Sequence, residues 1–205
     1  VIRKGRIADV RRLVRFYLSL SPAARYRFHP FRFDPFFSGL LFLLTLIGQA
    51  VFGTIAPRSA RLLVGLMVAE LEGDRRVAGY GTMRGVPRKG LEPRVRFGFV
   101  VGDDFRGYGI GPKILRGLAQ VAVDRGMRWE IGAVFRSDTL AIKALTKFGV
   151  KFSETDYIDP RAPHELNYFT EGDLFEILRL IPENPPPAAT APSLVPVPGS
   201  TATER

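Results

Sequence analysis

Six residues, Arg106-Gly107-Tyr108-Gly109-Ile110-Gly111, and the segments on either side of them do most to limit the folds open to this chain. Before them, Val95, Phe97, Phe99 and Val101 alternate onto one face, the period of a half-buried strand that ends at Gly102-Asp103-Asp104. After them, Ile114, Leu115, Leu118, Ala119 and Ala122 form one stripe at helical spacing, which predicts a helix from about Gly111 to Arg125. Pro112 suits its first turn and Gly126 its end. Glycines in such a loop tolerate positive φ and let the backbone approach a ligand, while the helix adds its positive N-terminal end. The loop is therefore expected to cradle a diphosphate with main-chain N–H groups and no lysine. A ligand-free glycine turn is the plain alternative. A Rossmann fingerprint needs G-x-G-x-x-G, and a Walker loop needs Gly-Lys-Ser/Thr; the alternating glycines here match neither.

The flanking segments extend this unit to a mixed α/β order. A first helix is predicted from Asp9, as its cap, to Leu20, on the spacing of Val10, Leu13, Val14, Tyr17 and Leu18; Ser21-Pro22 interrupts it. Arg61 to Leu71 and Val77 to Met83 read as a hairpin around the turn Glu72-Gly73-Asp74-Arg75. Later segments read as a strand (Trp129 to Val134), a short helix (Thr139 to Phe148) and two closing strands (Lys151 to Tyr157 and Glu165 to Phe169). The region from Pro182 holds Pro-Pro-Pro and is rich in Ala, Thr, Ser and Pro, so it is expected to stay disordered.

With no cysteine, disulfide frameworks, cysteine zinc sites and a covalent cysteine mechanism are excluded. The net charge of +10 favours an anionic partner. Most of the surplus lies between Val1 and Arg32, where nine basic side chains face Asp9 alone; a solvated helix face is the preferred reading and no nucleic acid is expected. No secretory signal is evident at the start. From Pro35 to Pro57 no residue is charged. A membrane helix needs about 20 apolar residues, a length this segment approaches. Ser38, Gly39, Thr45, Gly48, Gln49, Gly53 and Thr54 break it into shorter pieces and favour a buried helix. Membrane contact through 36–56 stands as the alternative to a purely cytoplasmic protein.

The strand, the pair Asp103-Asp104 and the Arg-x-x-Gly-x-Gly run resemble the acetyl-CoA motif of the GNAT superfamily of N-acetyltransferases. Ala141 to Val150 resembles the family's late helix and the Gly-Phe after it, and Leu20 to Phe28 the helix end and Arg-Phe element of protein-lysine-acetyltransferase-like members. The resemblance implies an α/β fold of GNAT type, a mostly antiparallel central sheet flanked by helices, over residues 1–180, with the disordered Pro-rich tail at 181–205. It implies acetyl-CoA as co-substrate, with the backbone at Val100 and Val101 pairing with the pantetheine arm and Arg106, Gly107, Tyr108, Gly109, Ile110 and Gly111 holding the pyrophosphate. Asp138 stands where the family often has an asparagine on the cofactor arm. The activity implied is transfer of an acyl group to a primary amine, a protein lysine or a small amine, by direct attack in a ternary complex. The alternative is a catalytically silent acyl-CoA-binding sensor or interaction module. Acceptor, acyl length and oligomeric state are left open.

Direct attack needs a neutral amine, yet a lysine with pKa near ~10.4 is almost wholly protonated at neutral pH. Many relatives use a glutamate on the strand before the loop as base and a tyrosine in the late helix as acid; the matching positions here are Arg96 and Leu145. Arginine cannot serve as a base. Glu70 and Glu72 are the substitute candidates, against the plainer reading that they are solvated hairpin charges. His29 and His164 show no metal-ligand spacing, and no metal site is expected.

Overall fold

The computed structural model describes residues 1–27, 40, 42–50, 64–71, 73, 75–86, 92–158 and 164–183. The strands are β1 (Ile2–Lys4), β2 (Val64–Glu70), β3 (Val77–Val86), β4 (Arg94–Val101), β5 (Trp129–Phe135), β6 (Lys151–Ile158) and β7 (Leu166–Asp173). They form one sheet in the order β1-β2-β3-β4-β5-β7-β6, antiparallel throughout except for the β4–β5 pair. The helices are α1 (Val10–Ser19), α2 (Pro22–Arg27), α3 (42–50), α4 (Ile110–Val123), α5 (Thr139–Lys147) and α6 (Leu174–Leu180).

Two apolar clusters cover the two faces of the sheet. The stripe predicted for α4 packs with α6 on one face, joining Ile114, Leu118, Ala122 and Ile177 to Met67, Met83 and Val95. Phe97, Phe99 and Val101 of β4 lie against this cluster, so the strand's alternation points where its pattern requires. On the other face, Leu13, Phe16 and Tyr17 of α1 with Phe42 and Leu46 of α3 meet Leu66, Val68, Tyr80 and Val100. Within the uncharged segment, residues 42–50 thus form a helix that buries Phe42 and Leu46 and leaves Leu44 and Ile47 exposed. Gln49 ties it down, donating to the Gly5 carbonyl at 2.9 Å and accepting from the Leu66 N–H at 2.6 Å. Among the described residues no helix is long and apolar enough to cross a membrane. Residues 36–39, 41 and 51–56, residues 61–63, Glu72, His29 and the tail from 184 lie outside the described residues.

Several expectations needed correction. Asp9 does not cap α1; its carboxylate accepts from Arg3, Arg12 and the Arg6 N–H, because two guanidiniums are stronger partners than one helix amide. The helix does break before Ser21-Pro22, with Leu20 extended, and a second helix, α2, then starts at Pro22. β7 runs four residues past Phe169, to Asp173, whose side chain then caps α6 through the Phe175 N–H at 2.9 Å. β1 and α6 are too short to leave a periodic signal.

Candidate functional site

The site is a consequence of how β4 and β5 part. β4 pairs along its whole length with β3, from Val86↔Arg94 to Gly79↔Val101, and β5 along its whole length with β7. Toward each other they pair only at Arg94↔Trp129 and Val95↔Glu130. Beyond Val95 the sheet therefore splits, and backbone groups on the inner edge of β4 lose their ladder partner. Main-chain groups of alternate residues point to opposite edges of a strand. Gly102 donates to the Ala78 carbonyl of the neighbouring β3 chain segment. That parity turns the main chain of Phe97, Phe99 and Val101 into the split and that of Val100 toward β3.

The glycine loop closes the open end of the split. A single 3-10 turn at Asp103–Phe105 follows β4, and α4 starts at Ile110 on Gly109, without a side-chain cap. Gly107 has φ +84° and Gly109 φ +72°, the left-handed region that favours glycine. A Cβ at either position would meet nothing within 4 Å, so space is not what requires glycine there; the backbone turn is. Among the described residues, the amides of Gly107 to Gly111 donate no hydrogen bond within the protein. Several convergent N–H groups at the positive end of a helix form an anion cradle. Arg106 bonds Asp103 at 2.7 Å, and Asp103 accepts from the Ser21 N–H at 3.0 Å, tying the loop to the α1–α2 junction. Partial burial works against the charge of Asp103, but the Ser21 bonds and Arg106 outweigh it and hold its carboxyl below the usual range. Tyr108 is 45% exposed.

The remaining predicted residues have these settings. Asp138 caps α5, accepting from the Ala141 N–H at 3.2 Å. Arg96 is exposed, and Leu145 packs against the α4-side cluster. Glu70 is a member of an ion-pair network: it accepts from Arg3 at 2.7 Å and Arg12 at 2.6 Å, and the same two arginines hold Asp9. Burial alone would raise the Glu70 carboxyl, but the two guanidiniums pull it below the usual range. A carboxylate whose lone pairs are taken by arginines is a poor proton acceptor. The basic surplus of the N-terminal segment is therefore partly consumed in structure, and Arg3, Arg6, Arg12 and Arg15 line a cleft of about 1100 Å³ with Arg75, Arg76 and Asp104. Among the described residues no group of acids and histidines could hold a metal.

Sequence reading passed over Glu130. It stands at the last β4–β5 pair, 7% exposed, on the α4 side of the sheet with Val95. Its side chain runs along β5: a Cβ at Gly132 would lie 2.9 Å from its Oε1 and 2.8 Å from Thr170 Oγ1, so Gly132 makes room for it. Burial pushes its carboxyl up to about 8, against the opposing pull of Arg96 and the Phe97 N–H. The available signal was a lone acid inside the apolar run Trp129 to Val134, two residues before a glycine.

This arrangement of sheet, split and loop is the GNAT fold, the fold of the N-acetyltransferases that the sequence resembles. The ribosomal-protein-S5-alanine acetyltransferase of Vibrio fischeri is similar over 84% of this chain and 91% of its own, with TM-score 0.67 and 13% identity. YncA of Salmonella typhimurium, solved with its cofactor acetyl-CoA, is similar over 93% of this chain and 98% of its own, with TM-score 0.64 and 17% identity. The GNAT domain of Streptomyces lividans PAT matches 84% of this chain and 89% of its own, with TM-score 0.61 and 18% identity. No protein-family profile and no curated protein sequence matches the chain.

Proposed function

We propose that this protein is an acetyl-CoA-dependent N-acetyltransferase that passes the acetyl group to a primary amine by direct attack in a ternary complex. One observation carries the reading: unpaired amides at Gly107 to Gly111 stand at the mouth of a split whose inner edge presents main-chain groups of Phe99 and Val101. The diphosphate of acetyl-CoA would take the loop amides, and the pantetheine amides would pair with β4 as a substitute strand. The thioester would then arrive toward the floor of the split, where few waters compete for a developing oxyanion. Similarity to structures solved with acetyl-CoA and with coenzyme A supports the same ligand. We read residues 1–180 as the catalytic domain and 181–205 as a tail.

The test is a melting series with acetyl-CoA, longer acyl-CoAs, NAD and ATP. Acetyl-CoA at a hundred times its Kd is expected to stabilise the fold by about 2.7 kcal/mol. A shift with NAD or ATP and none with any CoA species overturns the reading. The second reading, a binding module without turnover, draws on the capture of Glu70 by two arginines and on Arg96 and Leu145 at the positions usual for base and acid. Release of CoA thiol in the presence of an amine panel separates the two.

A further inference from the structure

The inference deepens the acetyltransferase reading and rests on it. We propose that Glu130 is the general acid of the transfer, holding the proton that the departing CoA sulfur takes up. Four observations place it there. It sits at the last rung before β4 and β5 part, so a chain fed down the split from the loop ends above it. The Phe97 N–H, a ladder donor that β5 abandons by diverging, is close enough to favour its charged form. It lies on the face of α4 and α5, the side of the phosphate loop and of Leu145, where a side chain that cannot hold a proton stands at the late-helix position. Finally, room is made for it: Gly132 and Gly172 flank it, and a Cβ at Gly172 would lie 3.8 Å from its Oε2.

The charges acting on Glu130 are few. Arg96 of β4 favours its ionised form, and Glu171 of β7, itself paired with Arg94, opposes it. The spaces beside Gly132 and Gly172 that its carboxyl borders are otherwise bounded by Thr170, Val150 and Ile177 of α6, none of them charged. With burial the dominant influence, the group is neutral at pH 7, as an acid catalyst must be before the step. In the step the amine nitrogen bonds the thioester carbon, the C–S bond breaks, and the Glu130 proton passes to sulfur. The proton of the ammonium formed on attack then passes to the Glu130 carboxylate, giving amide, CoA thiol and a restored acid.

The test uses the full chain, wild type and Glu130→Gln, in calorimetric titrations with CoA and with desulfo-CoA, the same nucleotide without the sulfur. In the wild type both ligands bind at pH 6.5. At pH 9.5 CoA should lose about tenfold or more relative to desulfo-CoA, because an ionised carboxylate then faces an ionising thiol. In E130Q this ratio should change by less than about threefold, since no carboxylate forms. Equal pH dependence in the two proteins overturns the assignment while leaving the acyl-CoA reading intact. Failure of both nucleotides to bind the wild type overturns the acyl-CoA reading and this assignment with it. Should E130Q not fold, ¹³C NMR of glutamate-labelled wild type decides: the buried carboxyl that titrates last must move with CoA and stay still with desulfo-CoA, and the reverse or equal movement overturns the proposal.

Discussion

Asp9 and Glu130 are the two acids buried among the described residues, 3% and 7% exposed, yet the protein holds them in opposite states. Around Asp9, at the corner of β1 and α1, burial works against the charge, but Arg3, the Arg6 N–H and Arg12 overcome it and keep the carboxyl below its usual range. At the floor of the β4–β5 split the charge of Arg96 and one backbone N–H do not overcome burial, and Glu130 keeps its proton to about pH 8. Depth alone therefore does not decide the charge of a carboxyl; the number of donors that reach it does. The first corner fastens elements together, whereas the second leaves a proton available for transfer.

The largest effect that can break this contrast is expected at Glu130. Its folded pKa of about 8 stands above the ordinary value of 4.5, so the folded state holds the extra proton across that window. Stability is then fully present below the lower value, falls as pH rises through the window and levels off above it, a loss of about 4–5 kcal/mol. E130Q should remove that slope; urea unfolding at pH 5, 7 and 9 measures it, and parallel curves for the two proteins would contradict the neutral-acid reading. Next in size, Asp9→Asn leaves Arg3 and Arg12 short of a partner and should cost about 3–4 kcal/mol at pH 7. With Asp9 and Glu70 both depressed, the wild type should also lose stability as pH drops through their folded pKa values, an acid limb that D9N shrinks.

The loop offers smaller and sharper tests. Gly109→Ala meets no neighbouring atom, so its cost of about 1–2 kcal/mol is conformational, from φ +72°. The same variant should reduce the melting shift given by acetyl-CoA by more than it lowers the melting point of the free protein; equal effects would mean that the loop is only a turn. Smallest is Arg106→Ala. Its pair with Asp103 is 44% and 36% exposed, and losing it should cost no more than about 1 kcal/mol in urea unfolding.

What could be read from sequence follows the range of the forces involved. The β4 strand, the loop and α4 were legible because alternation, helical spacing and glycine punctuation are local. The split was not. It lies between two strands that are each paired along their whole length with another partner, β4 with β3 and β5 with the sequence-distant β7, and nothing in Trp129 to Phe135 announces that arrangement. Glu130 was missed for the same reason, since its burial depends on Thr170 and Gly172 across the sheet. Glu70 was found as an acid at a strand end, but only the long-range arrival of Arg3 and Arg12 shows why it is held as an anion.

The bare start of α4 has a dynamic consequence. A helix that lacks a capping side chain forgoes about 1 kcal/mol at its first turn, and that turn frays more readily in water. Because α4 contributes Ile114, Leu115 and Leu118 to the centre of the protein, such opening loosens the interior as well as the rim. An anion seated on the loop would supply the absent cap from outside, so occupancy should be heard deep in the fold as slower amide exchange along the first half of the helix.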